Sequence, residues 1–179
     1  MAQRVVSVLN PRDLGTFAHV HTARMPGTCP TVRHATRADL DALVALEESS
    51  FDHDRVSRAQ WRRHLHSGSA RVLVAAQDDN VSGSVLLFFR RGSRNARLYS
   101  IAVGHHARGQ GLGALLLSAA EDTARAQGCA TMSLEVRVDN AAAIAMYEKR
   151  GYRRQARAAH FYENGMDAWR YRKSLVSGP

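Results

Sequence analysis

The chain has 179 residues, of which 45% are apolar, and it carries a formal net charge of +9 at pH 7. This length and apolar content are typical of one globular domain with a packed core, and they exclude an intrinsically disordered chain. No apolar run approaches the roughly 18 residues of a membrane-spanning helix, and Cys29 and Cys129 alone are too few for a disulfide framework.

The composition also bears on location and partners. Free cysteines and the lack of a secretory signal favour the reducing cytoplasm, with no membrane partner. The positive charge is almost entirely arginine, since Lys149 and Lys173 are the only lysines, and guanidinium groups pair with phosphate and carboxylate. The arginines are spread along the chain, however, and no stretch alternates aromatic with basic residues. We therefore expect a solvated basic surface and no nucleic-acid partner. No pattern predicts an oligomeric state.

Residues 1–30 form the first segment in chain order. They include Pro11, Pro26 and Pro30 and show no sustained apolar period. This pattern predicts an irregular N-terminal extension to a domain formed by residues 31–179. Met25 lies within the extension and could serve as a second start codon.

Two helices are predicted after a short strand at residues 31–33. Thr36 followed by Asp39, and Ser57 followed by Gln60, are capping pairs that mark where helices begin. The first helix places Leu40, Leu43, Val44 and Leu46 on one face, and the second places Trp61 and Leu65 on a face that should pack inward.

The remaining segments predict a mixed sheet. The runs RVLVAA and VSGSVLLFFR are separated by QDDN and indicate a hairpin, and ARLYSIAV adds a neighbouring strand. A helix from about residue 112 to 127 ends at Gly128, TMSLEVRV is a strand, NAAAIAMYEKRG is a short helix, and two strands follow near residues 152–157 and 167–175. The fold class is therefore α+β, with helices on both faces of the sheet.

The stretch RGQGLG, residues 108–113, is suited to bind phosphate. The first N–H groups of a helix have no partner within the helix, and the helix dipole adds positive charge at that end. Glycines at 109, 111 and 113 let a phosphate approach these donors, and Arg108 adds a full charge. A pyrophosphate group is the expected ligand.

Competing phosphate-binding motifs fit less well. Ala114 stands where a P-loop requires Lys-Ser/Thr. Gly109, Gly111 and Ala114 satisfy the dinucleotide fingerprint, but GHHAR separates the first glycine from the strand, and the preceding strands form a hairpin. Dinucleotide binding and a purely structural turn remain as minor alternatives. His105 and His106 are adjacent but have no further ligand at metal spacing, so we expect no metal.

The pattern Arg-x-x-Gly-x-Gly after the strand IAV resembles the acetyl-CoA loop of the GNAT superfamily of N-acetyltransferases. Asn140, then Tyr147, then Gly151-Tyr152 follow in the order typical of that family, and the resemblance covers residues 31–175. LEESSFDHDRVSRAQW, SLEVRVDNAAAIAMYEKRGY and HFYENGMDAW are most similar to its RimI type, which acetylates the N-terminal amine of a ribosomal protein. The chain departs from the family at His105 and Ala107, where proline and a bulky residue are usual.

The resemblance implies a GNAT fold, with a mostly antiparallel sheet of six to seven strands and about four helices. It also implies a splayed strand at residues 101–103, whose main chain binds pantetheine and whose Val103 N–H polarises the thioester carbonyl. The cofactor-binding residues implied are Ile101, Ala102, Val103, Arg108, Gly109, Gln110, Gly111, Leu112, Gly113, Ala114 and Asn140.

Two residues are candidates for proton transfer. Glu135 stands in LEVR, where RimI-type enzymes carry their proposed general base, acting directly or through a water. The alternative is an exposed carboxylate paired with Arg137. The resemblance assigns Tyr147 to protonating the CoA sulfur, and a phenol remains a proton donor at neutral pH.

Candidate acceptor-binding residues lie in two places. HFYENG falls between the last two strands, where the resemblance implies a substrate-lining hairpin, so His160, Phe161, Tyr162 and Glu163 are candidates together with Asp52. The predicted activity is direct transfer of an acetyl group from acetyl-CoA to a primary amine, with a protein N-terminus as the expected acceptor. A small-molecule amine or a lysine side chain is one alternative. A non-catalytic acyl-CoA-binding or nucleic-acid-associated module is another.

Overall fold

The computed structural model describes residues 30–77 and 80–176. The predicted extension with Met25 lies outside the described residues except for Pro30, as do the two central residues of the QDDN turn. Within the described part, the elements in chain order are β1 (Thr31–His34), α1 (Leu40–Ser50), α2 (Arg58–Leu65), β2 (Ala70–Gln77), β3 (Asn80–Phe89), β4 (Asn95–Val103), α3 (Leu112–Ala126), β5 (Thr131–Arg137), α4 (Ala141–Lys149), β6 (Arg153–Ala158) and β7 (Ala168–Ser174).

The strands form one seven-stranded sheet in the order β1-β2-β3-β4-β5-β7-β6. Neighbouring strands run antiparallel except β4 and β5, which are parallel. The predicted α+β class and GNAT fold are confirmed, and the predicted strands and helices agree with the structure to within a few residues. Because β7 lies between β5 and β6, the β6–β7 connection reaches the end of β5.

Each face of the sheet has its own apolar core. α1 and α2 pack over β2, β3 and β4, and their core includes Leu43, Trp61 and Leu86. On the opposite face, α3 and α4 pack on a core that includes Leu116 and Leu134. Burial of large side chains on both faces fixes which way each strand residue points, because successive side chains in a strand alternate.

A β-bulge in β4 changes that alternation. Leu98 lies opposite Leu87 of β3 and Ser100 lies opposite Leu86, so Tyr99 is one extra residue in β4. As a result, Leu98 and Ile101 both face the α3–α4 core, although three positions separate them. A bulge bends its strand and increases the local twist. β5 accordingly pairs with β4 only along Asn95–Arg97, before the bulge.

The predicted helix starts are also observed. Ser57 Oγ accepts the Gln60 N–H at 3.3 Å, and Gln60 Oε1 accepts the Ser57 N–H at 2.8 Å. Asp39 lies in a turn of 3-10 helix, Arg37–Asp39, that precedes α1, and its carboxylate accepts the Thr36 N–H at 2.6 Å. Arg33 of β1 donates to both oxygens of the same carboxylate, at 2.7 and 2.8 Å, and so joins β1 to α1.

The Asp39 ion pair makes stability depend on pH. Hydrogen bonds from Arg33 lower the pKa of Asp39 from 3.8 to about 2. Because this pKa is lower in the folded chain than in the unfolded one, its contribution is complete above about pH 4 and disappears as the pH falls toward 2. We expect Asp39→Asn to lower the free energy of unfolding by about 1 to 2 kcal/mol at pH 7, since Arg33 is partly solvated.

Urea denaturation at pH 7 and pH 3 checks this prediction. The difference between wild type and variant should shrink at pH 3. Asp41→Asn is the control, because Asp41 is exposed and its ion pair with Arg58 is open to solvent. An equal loss at both pH values would show that the carboxylate charge is not responsible.

Candidate active site

The gap between β4 and β5 exposes main-chain groups of β4. The Gly104 N–H donates to the Ser82 carbonyl at 2.9 Å. Bonded pairs alternate in an antiparallel ladder, so Ala102 directs its main-chain groups at Ser84 of β3, whereas Ile101 and Val103 direct theirs toward β5. β5 no longer pairs with β4 at this height. The predicted splay at residues 101–103 is therefore present, and Val103 N–H is directed into the gap.

The glycine-rich loop leads from this gap to α3. After a turn of 3-10 helix at His105–Ala107, Gly109 and Gly111 have φ values of +74° and +79°. These are left-handed conformations that L side chains rarely adopt. The first bond of α3 runs from the Leu115 N–H to the Gly111 carbonyl at 3.1 Å. The N–H groups of residues 112–114 therefore have no carbonyl partner within the helix.

A cavity of about 200 Å³ lies between this loop and α4. The Arg108 guanidinium borders it and is held in place by donation from Nε to the Val103 carbonyl at 3.3 Å. A second cavity of about 790 Å³ also borders the loop and reaches Gln110 and Ser82. Residues lining the first cavity are Val103, Ala107, Arg108, Gly109, Gly111, Leu112, Gly113, Ala114, Ala142 and Met146.

Helix α4 closes one side of the gap. The Asn140 side chain is buried, and its Oδ1 caps α4 by accepting the Ala143 N–H at 3.1 Å. At the other end of the helix, the Arg150 guanidinium donates to the Ala114 carbonyl at 2.7 Å. α4 is thereby joined to the first turn of α3. Arg150 was not among the predicted site residues, because no motif connects a residue after α4 to a carbonyl of α3.

Tyr147 of α4 is fully buried, and within the described part of the chain its hydroxyl has no hydrogen-bond partner. Its ring lies edge-on to Tyr152, with centroids 5.6 Å apart. Burial raises the pKa of Tyr147 well above 10, with a smaller contribution from Tyr162. The hydroxyl thus keeps its proton at physiological pH. A buried hydroxyl without a partner costs roughly 1 to 3 kcal/mol, a cost that a bound acceptor atom would offset.

Tyr162, in the β6–β7 connection, is, like Tyr152 after α4, a further buried tyrosine whose hydroxyl has no partner among the described residues. Burial raises its pKa, the positive charge of Arg137 opposes that effect, and the negative charge of Glu135 reinforces it. The Tyr162 hydroxyl therefore lies near charged groups at the end of β5, and it is close enough to Tyr147 to contribute to the raised pKa of that residue.

Glu135 is held by two arginines that sequence analysis did not identify. The Arg97 guanidinium contacts its carboxylate at 2.9 and 3.1 Å, and Arg170 lies at 3.8 Å. The alternative pairing with Arg137 is not observed, because Arg137 binds Asp139 instead. Arg97 and Arg170 belong to the strands on either side of β5. The alternation of Arg97 and Arg170 with apolar residues could have shown that they lie on the polar face of their strands. Their approach to Glu135, however, depends on the strand order.

The candidate acceptor residues fall into three groups. Asp52 is exposed in the α1–α2 connection, and its charge contributes to the raised pKa of Arg137, although Asp139 is the main cause. Phe161 is buried against Tyr162, with ring centroids 5.3 Å apart. His160 and Glu163 are exposed on the β6–β7 connection. The structure thus brings Asp52 and Tyr162 toward the end of β5, whereas Phe161 is a packing residue.

Within residues 30–77 and 80–176, none of the helices is long and apolar enough to cross a bilayer. The same residues contain no cluster of three or more His, Cys, Asp or Glu side chains that could hold a metal ion.

Comparison with known proteins identifies the family. Residues 37–152 match the family described as "Acetyltransferase (GNAT) family". N-alpha-acetyltransferase 30 of Schizosaccharomyces pombe is 31% identical over 64% of this chain and 79% of that protein. [Ribosomal protein bS18]-alanine N-acetyltransferase of Escherichia coli is 43% identical over 37% of this chain and 45% of that protein.

Solved structures agree with this assignment. The crystal structure of the ribosomal-protein-S18-alanine N-acetyltransferase from Escherichia coli has a TM-score of 0.75 and 25% identity, covering 84% of this chain and 96% of that one. The family match, the fold and the open β4–β5 gap lead to one conclusion. The chain belongs to the GNAT family and is an acetyl-CoA-dependent N-acetyltransferase.

Proposed function

We propose that this enzyme transfers an acetyl group from acetyl-CoA directly to the N-terminal α-amine of a protein. The observation that carries the proposal is the buried Tyr147 hydroxyl, which keeps its proton and lacks a partner among the described residues. The choice of acceptor is supported by the relatives whose names specify a protein N-terminus. The cytoplasmic location expected from the sequence stays a prediction.

Acetyl-CoA supplies a thioester as the acyl donor, and the loop and α3 bind its pyrophosphate. The N–H groups of residues 112–114 and the positive end of the α3 dipole attract the anion, and Arg108 adds a charge-assisted contact. Gly109 and Gly111 keep side chains away from that approach. Ile101 and Val103 offer main-chain groups to pantetheine, whereas those of Ala102 are directed at β3. Asn140 keeps α4 in place beside the pantetheine arm.

The transfer step needs a donor for the oxyanion, a base and an acid. The neutral amine attacks the thioester carbonyl carbon, and Val103 N–H stabilises the negative oxygen. As the C–N bond forms and the C–S bond breaks, the amine loses a proton to Glu135 through a water. Tyr147 gives a proton to the departing sulfur, which leaves as the CoA thiol. Exchange with solvent restores both residues, so neither cysteine is needed as a nucleophile.

The acceptor enters on the side of the gap formed by the α1–α2 and β6–β7 connections. The Tyr162 hydroxyl donates to the acceptor main chain, and Phe161 packs against the ring of Tyr162 to fix its position. Asp52 attracts the ammonium group before it is deprotonated. His160 and Glu163 form the exposed rim of this entrance.

An acceptor survey tests the proposal. CoA thiol release is measured with purified enzyme, acetyl-CoA and peptides that have a free N-terminus. The matched control peptides carry a blocked N-terminus and one lysine, and free lysine and polyamines complete the survey. Turnover confined to free N-termini supports the proposal. Turnover confined to lysine or small amines contradicts it, as does acetyl-CoA binding without turnover on any acceptor.

The role of Tyr147 predicts a separation of activity from stability. General acid catalysis contributes about 100-fold or more, so Tyr147→Phe should lower kcat by about that factor and change KM little. Its melting temperature should stay the same or rise, because the lost hydroxyl has no partner among the described residues. The control is Tyr152→Phe, whose ring contacts Tyr147 but whose hydroxyl lies near Glu121. An unchanged kcat in Tyr147→Phe would reject Tyr147 as the acid.

The role of Arg108 predicts a change in cofactor affinity. Loss of a charge-assisted hydrogen bond costs about 1.5 to 3 kcal/mol, so Arg108→Ala should raise the KM for acetyl-CoA at least about tenfold while kcat changes little. S-acetyl-pantetheine has no pyrophosphate, so wild type and variant should use it with equal KM. If the variant is equally impaired with both donors, Arg108 acts on the fold of the loop and not on the pyrophosphate.

A further inference from the structure

The side of the sheet that carries Glu135 continues across β7 and β6 as a basic surface. Arg97 of β4 lies in register with Ser133 of β5, which faces Arg172 of β7, which in turn faces Arg153 of β6. Arg170 faces Glu135 directly. Side chains at cross-strand positions point to the same face. We call Arg97, Arg153, Arg170 and Arg172 the arginine face.

The arginine face has more arginines than carboxylates to neutralise them within the described structure. Glu135 serves both Arg97 and Arg170. Arg153 and Arg172 have no carboxylate partner among the described residues, and Arg172 donates only to the Thr131 hydroxyl, at 3.0 Å. Like charges directly opposite each other in a sheet are destabilising. Arg33, Arg137, Arg154 and Arg157 each pair with an acid. Arg62 and Arg63 of α2 have no ion pair among the described residues either, but they are neighbours on one helix, whereas Arg153 and Arg172 face each other directly across two strands. The unneutralised charge therefore indicates an anionic partner.

The arginine face is continuous with the proposed acceptor entrance. Arg137 at the end of β5 interacts electrostatically with Tyr162, and Glu135 follows on the same side of the strand. From residue 137 to residue 131, the strand extends about 20 Å at roughly 3.3 Å per residue. An extended peptide with its amine in the gap has about six further residues over this distance. Its alternate side chains repeat about every 6.6 Å, which is also the spacing of Arg170 and Arg172 along β7.

We propose that the arginine face binds acidic side chains that follow the N-terminal residue of the acceptor. This inference rests on the proposed function and specifies the substrate class as proteins with Asp or Glu within about their first eight residues. Peptide is favoured over nucleic acid for two reasons. Tyr99 beside Arg97 is buried, and no exposed aromatic ring on this side of the described β4–β7 region offers a base-stacking surface. A peptide also places a neutral residue opposite Glu135, whereas every nucleotide brings a phosphate.

A peptide pair tests the inference. The two peptides share their first two residues and differ at positions three to eight, where one has Asp and Glu and the other has Asn and Gln. With wild-type enzyme at low salt, we expect kcat/KM to be about tenfold higher for the acidic peptide, mainly through KM, and the ratio to approach one at 0.5 M salt, where the Debye length is only a few ångströms.

A double variant locates the effect. Arg153→Gln with Arg172→Gln should bring the ratio close to one. Arg62→Gln with Arg63→Gln is the matched control: it removes two exposed arginines of α2, away from the arginine face, and should leave the ratio tenfold. A melting curve verifies that each variant is folded.

Three outcomes would overturn the inference. Equal use of both peptides by wild type contradicts it and leaves the N-terminal activity standing. Retention of the acidic preference by the double variant contradicts it too. If a labelled RNA hairpin binds wild type but not the double variant, and the peptides are used equally, the face is a nucleic-acid surface. If the enzyme acetylates neither peptide but does acetylate free lysine or polyamines, the proposed function is wrong.

Discussion

The separation of β4 from β5 is the constraint on which the site depends. The two strands run parallel, pair over only the first three residues of β4, and then diverge. Every element with a proposed role borders the opening: the main chain of Val103, the loop before α3, α4 with Tyr147, and the β6–β7 connection with Tyr162. Unpaired main chain inside a protein is costly. A ligand whose amide and carbonyl groups hydrogen-bond to this main chain would therefore stabilise the gap.

Local features of the sequence predicted much of this arrangement. Capping pairs, alternation in the strands and the glycine that ends α3 each depend on a few neighbouring residues, and the structure has them near their predicted positions. The proximity of Tyr147, Tyr162 and Glu135 is different, because it depends on β7 lying between β5 and β6. No local feature of the sequence predicts that strand order. The strand order was not predicted, and for the same reason the pairing of Glu135 with Arg97 and Arg170 was not predicted either.

The polar groups divide into two kinds. Asp39, Asn140 and Gln60 are satisfied by their own neighbourhoods, and they begin helices. The hydroxyls of Tyr147 and Tyr162 are buried without partners among the described residues, and the arginine face has more cations than anions. Natural sequences depart from the rules of stability mainly where function requires it. Tyr147, Tyr162 and Glu135 with its two arginines lie on or near β5, whereas Arg153 lies on β6, beyond β7. The proposed chemistry and the proposed choice of acceptor therefore use the same half of the sheet. Tyr152, Trp61 and Ser50 also have buried polar atoms without a partner among the described residues.

The bulge at Tyr99 reverses the side-chain alternation of β4, so odd- and even-numbered residues exchange faces of the sheet at this point. Deleting that one residue would turn Ile101 and Val103 toward α1 and α2, send Ala102 into the α3–α4 core, and exchange the main-chain groups that face β3 for those that face the gap. Both cores would then hold side chains of the wrong volume. We therefore expect the number of residues in β4 to be fixed, whereas the loops of this enzyme can gain or lose a residue.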